Sequence, residues 1–85
     1  MVENVEQEII SIISDVSGTD TEDITADMNL ANDLEIDSIK AIEIVVAIEK
    51  KYKISVRDED IPSITTPRQV IDLTIMLLKQ KTDGS

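Results

Sequence analysis

The segment from Ser38 to Lys53, SIKAIEIVVAIEKKYK, constrains the fold of this chain more than any other feature. At 100° per residue its apolar side chains cover an arc of about 220°, whereas a surface helix facing one core needs a stripe of only ~100°. Asp37 precedes the segment and lysines end it, which suits both ends of a helix dipole. The sequence therefore predicts a helix over residues 38–53 with an unusually wide apolar surface.

Two lines of apolar residues run along this predicted helix. The first line, assigned to the core, consists of Ala41, Val45, Ile48 and Tyr52. The second line, Ile39, Ile42 and Val46, lies roughly 90° away, and Glu43 borders it. From geometry alone, the second line fits deep burial and a docking face for partner proteins equally well.

Helical spacing and end signals place the other elements. The predicted elements are helix 2–17, loop 18–37, helix 38–53, short helix 58–62, helix 67–80 and a frayed tail at 81–85. The long loop is unusual in a small domain, but it has apolar residues that can pin it across the helices: Ile24, Met28, Leu30, Leu34 and Ile36. Thr66 before Pro67 is the pattern of an N-cap followed by proline at the first helical position. The expected fold is an all-α, four-helix bundle of three main helices and one short helix, forming one domain over residues 1–85.

The amino-acid composition excludes several classes of active site. The 85 residues include no cysteine and no histidine, so disulfides, thiolate nucleophiles, histidine acid–base chemistry and the usual zinc sites are excluded. Ser38 therefore lacks the histidine base that a hydrolase would need. The acidic run from Asp15 to Asp23 does not have EF-hand spacing, because its sixth position is Asp20 and not glycine. We expect a protein that is not an enzyme and binds no metal.

The net charge of −10 predicts what this chain binds. Such a surface repels nucleic acid and anionic membranes, and it attracts proteins that present lysine and arginine. No apolar run has the length of a membrane span, and the N-terminus lacks the pattern of a signal peptide. We expect a monomeric cytoplasmic protein that binds no nucleic acid and does not insert into membranes.

The Ser38 hydroxyl is predicted to lie at the N-terminus of the central helix. Unpaired backbone N–H groups and the helix dipole make this position favourable for a phosphate group. An Asp-Ser pair before a helix is nevertheless far more often a simple N-cap. The local pattern alone therefore does not assign a function to Ser38.

A longer pattern around Ser38 resembles the phosphopantetheine attachment region of acyl carrier proteins. It comprises DLEIDSI at residues 33–39, EIV at 43–45 and AIE at 47–49. The family has Asp-Ser-Leu opening a helix that continues with Val-Glu-Leu-Val and Ala-Leu-Glu-Glu. Further similar segments are IT at 24–25, LANDL at 30–34 and ITT at 64–66, and Tyr52 stands where the family often has phenylalanine. These segments keep their spacing without gaps from about Ile24 to Ile71.

The resemblance implies a specific chemistry. Ser38 would receive 4'-phosphopantetheine from coenzyme A through a phosphopantetheinyl transferase, and the thiol of this arm would carry acyl groups as thioesters. The expected role is delivery of these groups to enzymes of fatty acid or related lipid biosynthesis. A peptidyl, aminoacyl or polyketide carrier with the same arm is the alternative.

The resemblance also implies how partners bind. By this resemblance, Asp37 belongs to the cofactor site beside Ser38. Asp37, Glu43 and Glu49 match acidic family positions that meet basic patches on acyl-transferring and chain-modifying enzymes. Ile39, Ile42 and Val46 match apolar docking positions, which favours the docking face over deep burial.

Three features depart from the family pattern. Glu35 stands where the family usually has glycine, so the turn before Ser38 is expected to differ or to use a non-glycine backbone conformation. Lys40 replaces a usually acidic residue, and Lys50, followed by Lys51 and Lys53, adds positive charge to a typically acidic stretch. These departures predict a specialised choice of partner.

Overall fold

The computed structural model describes residues 2–83, except for the side chains of Val2, Glu3, Ser63, Thr82 and Asp83. Its four α-helices are α1 (Val2–Ser17), α2 (Leu30–Asp33), α3 (Ser38–Tyr52) and α4 (Pro67–Asp83). Two 3₁₀ turns, at Thr21–Asp23 and Asp58–Ser63, complete the described secondary structure. No strand occurs in residues 2–83, so the predicted all-α class and the helical bundle are confirmed.

The core is aliphatic and lies between the three long helices. Its fully buried members are Val5, Ile9, Ile13, Ile24, Leu30, Leu34, Ile36, Ile44, Ile48, Val70 and Ile71. Spacings of four residues place Val5, Ile9 and Ile13 on one face of α1. Thr74 is the buried polar residue of α4, and its hydroxyl donates a hydrogen bond to the Val70 carbonyl at 2.8 Å.

The segment between α1 and α3 is more structured than the loop predicted for residues 18–37. Asn29 caps α2 by accepting the Asn32 N–H at 2.8 Å, while Asp33 accepts the Asn29 N–H at 2.8 Å. These reciprocal bonds satisfy N–H groups that a helix start leaves unpaired, so four residues suffice for a helical turn. The prediction of one continuous loop was therefore wrong at Thr21–Asp23 and Leu30–Asp33.

The same segment is pinned across the bundle as its apolar residues predicted. Ile24, Leu30, Leu34 and Ile36 are buried, and Met28 is half-buried. Backbone hydrogen bonds also join the segment to the start of α4, from Leu30 N–H to the Thr65 carbonyl and from Arg68 N–H to the Ala26 carbonyl. The segment is thus held against the start of α4.

The start of α4 agrees with its sequence signal. Thr66 Oγ1 accepts the Gln69 N–H at 3.3 Å, and the Gln69 side chain accepts the Thr66 N–H at 3.2 Å. This capping box confirms the predicted N-cap at Thr66. The end of α4 differs from the prediction, because the helix continues through Lys81–Asp83 where fraying was expected. No glycine or proline occurs between Pro67 and Gly84, and Gly84 lies with Ser85 outside the described residues.

Tyr52 joins the end of α3 to α1. Its hydroxyl donates a hydrogen bond to the Glu8 carboxylate, and Lys51 lies 3.9 Å from the same carboxylate. Partial burial, together with this negatively charged acceptor, raises the pKa of the Tyr52 phenol above its usual range. The tyrosine therefore stays protonated as a donor at all ordinary pH values.

Candidate functional site

The start of α3 leaves the Ser38 hydroxyl free of any capping role. Asp37 is the N-cap, with extended backbone angles, and its carboxylate accepts the Lys40 N–H at 2.9 Å. Ser38 is the first helical residue, is exposed, and makes no side-chain hydrogen bond to the described residues. Because Asp37 performs the capping, the N-cap function that the sequence left open between these two residues belongs to Asp37.

The backbone around Ser38 is suited to a phosphoester. The N–H groups of Ser38 and Ile39 have no acceptor among the described residues, and both lie at the positive end of a 15-residue helix. The Asp37 carboxylate brings a negative charge to this helix end, and because Asp37 and Ser38 are both exposed, water would screen its repulsion of a phosphate on Ser38. An exposed, uncommitted hydroxyl at this position meets the steric requirement for covalent attachment of an arm.

Glu35 adopts a left-handed backbone conformation just before Ser38, with φ of 54°. Glu35 therefore keeps a glycine-like conformation, and the expectation of a different turn or a non-glycine backbone conformation was wrong. Glu35 stands between Leu34 and Ile36, whose side chains are both buried. Non-glycine residues in this region carry a strain of roughly 1–2 kcal/mol.

We expect substitutions of Glu35 to follow this backbone angle. Changing Glu35→Val should lower the free energy of unfolding by about 1–2 kcal/mol, since β-branched side chains are the least compatible with positive φ. Changing Glu35→Gly should alter it by less than about 1 kcal/mol, because relief of strain is offset by the greater freedom of glycine in the unfolded chain. Urea denaturation would measure both, with Glu22→Val at another exposed glutamate as the control; equal effects of the two valine substitutions would contradict the strain.

A cavity of about 460 Å³ opens beside Ser38 between the start of α3 and the second 3₁₀ turn. Its lining residues are Ile36, Asp37, Ser38, Ala41, Ile42, Asp58, Ile61, Pro62 and Ile64. Apolar side chains form most of this wall, and Asp37 and Asp58 supply its carboxylates. The sequence analysis missed this cavity, because Ile61, Pro62 and Ile64 join Ser38 only through the packing of the 3₁₀ turn on α3.

The outer apolar line of α3 is exposed to solvent. The exposed fractions are 67% for Ile39, 48% for Ile42 and 39% for Val46, whereas Ile44, Val45 and Ile48 on the other side are buried. Of the two alternatives that the helical geometry left open, deep burial is therefore excluded. Three large aliphatic residues at i, i+3 and i+7 form one continuous apolar strip on the surface.

The acidic residues predicted near this strip differ in their surroundings. Glu43 is exposed and lies one turn after Ile39. Glu49 is half-buried, and its carboxylate accepts the Val56 N–H at 2.8 Å, which ties the end of α3 to the following segment. Glu49 therefore has a structural role that the sequence analysis did not predict.

Comparison with known proteins places this geometry in a family. A family model described as a phosphopantetheine attachment site matches residues 7–74. An acyl carrier protein of Rickettsia bellii is 38% identical over 71 residues, covering 84% of this chain and 88% of that protein. An acyl carrier protein of Rhodococcus erythropolis is 32% identical over 83 residues, covering 98% of this chain and 88% of that protein.

The match to phosphopantetheine-dependent carriers extends to a solved structure. The apo doublet acyl carrier protein from prodigiosin biosynthesis superimposes with a TM-score of 0.74 at 23% identity, over 87% of this chain and 36% of that longer chain. This likeness shows the shared fold. On the family match and the curated relatives, the chain belongs to the acyl carrier protein family, whose prosthetic group is 4'-phosphopantetheine.

Among the described residues, no helix is both long enough and apolar enough to cross a membrane.

Proposed function

We propose that this protein carries acyl groups as thioesters on a 4'-phosphopantetheine arm attached to Ser38. The observation that supports this most strongly is that Asp37 caps α3 and leaves the exposed Ser38 hydroxyl without another role. The thiol of the arm supplies the reactive group that a chain without cysteine lacks. The protein's own residues hold the arm at the helix start and present it to enzymes, and they catalyse no step.

We further propose that the cargo is an aliphatic acyl group of fatty acid or related lipid biosynthesis. The cavity beside Ser38 supports this, because isoleucine, alanine and proline side chains form most of its wall. Burial of a hydrocarbon chain there stabilises it by about 0.8 kcal/mol per methylene group. A peptidyl, aminoacyl or polyketide carrier remains the alternative, since such cargo uses the same arm.

We also propose that partner enzymes dock on the strip of Ile39, Ile42 and Val46. Its exposure supports an apolar contact, and Glu43 beside it suits enzymes with basic patches, among them a phosphopantetheinyl transferase. Glu49 contributes charge at the far end of the strip, although one of its oxygens is already bonded to Val56 N–H. The monomeric state and the cytoplasmic location stay predictions from the sequence.

The test begins with the apo protein, coenzyme A and a broad-specificity phosphopantetheinyl transferase. We expect intact-mass measurement to show the addition of one phosphopantetheinyl group per chain. Absence of the added group would contradict the carrier function itself.

The same transferase can install an octanoyl or an alanyl arm from the corresponding coenzyme A thioester. We expect the octanoyl arm to shift the backbone NMR signals of Ile42, Ile61 and Ile64 relative to the holo protein, and the alanyl arm to leave them nearly unchanged. Changing Ile61→Asp should remove the octanoyl shifts at the cavity without preventing attachment. Equal shifts for both cargoes would contradict the proposed lipid cargo while leaving the carrier function in place.

A further inference from the structure

The positive charge of this acidic protein is concentrated at one end of the bundle. Five of its eight basic residues lie in the last two turns of α3 and α4 or at the cap of α3: Lys50, Lys51, Lys53, Lys79 and Lys81. The two helix ends are in contact, because Lys81 Nζ donates a hydrogen bond to the Tyr52 carbonyl at 3.2 Å. We call this group of five lysines the basic pole.

The lysines of the basic pole are largely uncommitted. Lys51 lies 3.9 Å from Glu8, whereas Lys50, Lys53 and Lys79 form no ion pair with a described residue. Glu8 accepts a hydrogen bond from Tyr52, and Glu49 accepts one from the Val56 N–H. Of the five lysines, only Lys51 is paired with a carboxylate of the described residues.

A groove of about 360 Å³ lies within the basic pole. Lys53 and Lys81 stand on its rim, and half-buried Ile54 and Leu77 contribute apolar surface to it. Lysine in the last turn of a helix complements the helix dipole. The dipole effect acts within each helix separately, so it does not explain why lysines of two different helices lie at the rim of the same apolar groove.

We propose that the basic pole binds an acidic segment of a partner protein, with an apolar side chain of that segment in the groove. Charge complementarity favours a polypeptide segment over an anionic membrane. A flat anionic surface would also face the acidic residues of this protein, whose net charge is −10, and would be repelled by them. A narrow segment meets only the lysines. Phosphates of nucleic acid present the same difficulty as a membrane, since their charge is spread over a large area.

The basic pole lies far enough from Ser38 for this contact to leave a phosphopantetheine arm on Ser38 accessible to enzymes. Along α3, Ser38 and Tyr52 are separated by about 21 Å at 1.5 Å per residue. This distance exceeds the Debye length of about 8 Å at physiological salt, so the charges at the two ends of α3 act independently. A partner held at the basic pole leaves Ser38 and the outer apolar strip accessible, and the contact does not depend on the proposed function of Ser38.

The proposal can be tested by NMR titration of the full-length holo protein with the synthetic peptide Glu-Glu-Leu-Glu-Glu. We expect shifts confined to residues 50–55 and 77–81, loss of binding at high salt, and no binding of Gln-Gln-Leu-Gln-Gln. The double variant Lys53→Glu, Lys79→Glu should weaken binding about tenfold or more, because two positive charges of the basic pole become negative. Lys40→Glu, Arg57→Glu makes the same change in net charge away from the basic pole and should bind as the native protein does.

Several outcomes would overturn the proposal. They are the absence of saturable shifts with the acidic peptide, equal weakening by both double variants, and lysine-dependent binding to phosphatidylglycerol vesicles without binding to the peptide. Thermal unfolding of both variants verifies that they fold. Modification of Ser38 is measured in parallel, and we expect the Lys53→Glu, Lys79→Glu variant to accept the arm as the native chain does. This measurement distinguishes a failure of the peptide-binding proposal from a failure of the proposed carrier function.

Discussion

Replacing Ser38 with alanine is expected to abolish attachment of phosphopantetheine completely while leaving the fold intact. The hydroxyl is the group to be modified, and its exposure and lack of partners mean that its removal costs little stability. The N-cap is unaffected, because the carboxylate of Asp37 accepts the Lys40 N–H. Intact mass after incubation with coenzyme A and transferase would measure the loss, and circular dichroism would verify the helices.

The matched control for this experiment is Ser55→Ala. Ser55 is also exposed but lies in the segment after α3 and not at a helix start. We expect this variant to be fully modified. Modification of the Ser38→Ala protein at any residue would show that attachment occurs elsewhere and would remove the basis of the proposed function.

Replacing Ile48 with alanine is expected to cause the largest loss of stability among the single changes on α3. Ile48 is 2% exposed and belongs to the core between the long helices. Truncation of a buried isoleucine costs about 2–5 kcal/mol, because transfer energy is lost and a cavity remains. For a domain of this size the total stability is roughly 4–13 kcal/mol, so urea denaturation should show a large decrease in the midpoint.

Ile39→Ala makes the same chemical change on the same helix and serves as its control. Ile39 is 67% exposed, and its truncation should change the free energy of unfolding by no more than about 0.5 kcal/mol. If the outer strip is the docking face, Ile39→Ala should instead slow modification by the transferase. Equal destabilisation by the two variants would contradict the assignment of one side of α3 to the core and the other to solvent.

Much of the local structure was predictable because its signals lie within a few residues of each other. The sequence placed the ends of α1 and α3 and the cap at Thr66 near their observed positions. Asp37 and Ser38 were singled out by their place before an amphipathic helix, and the family resemblance extended that local signal. Periodicity and capping depend on contacts between residues about one helical turn apart. Such residues are close in sequence, so the pattern of a single segment is enough to predict these contacts.

The short helical turns between α1 and α3 were not predicted, although their chemistry is also local. Asn29 and Asp33 form a reciprocal cap in a segment where no helical periodicity is long enough to detect. Four residues cannot establish a 3.6-residue period, and an isolated helix of this length does not persist in water. Burial of Leu30 and the hydrogen bond from its N–H to the Thr65 carbonyl stabilise this turn within the fold.

The printed residues alone predict a helical chain, show that it is acidic and lacks cysteine and histidine, and single out Ser38 at the start of the central helix. The packing of the helices was needed to show that the outer apolar line of α3 is exposed, since the spacing of Ile39, Ile42 and Val46 fits deep burial and a docking face equally well. The same packing places Ile61 near Ser38 at the cavity, and Lys53 near Lys81 at the groove of the basic pole. The physical reason is that caps and periodicity act within one helix, whereas a cavity or a charged surface requires elements distant in the chain to be brought together by burial of a shared core.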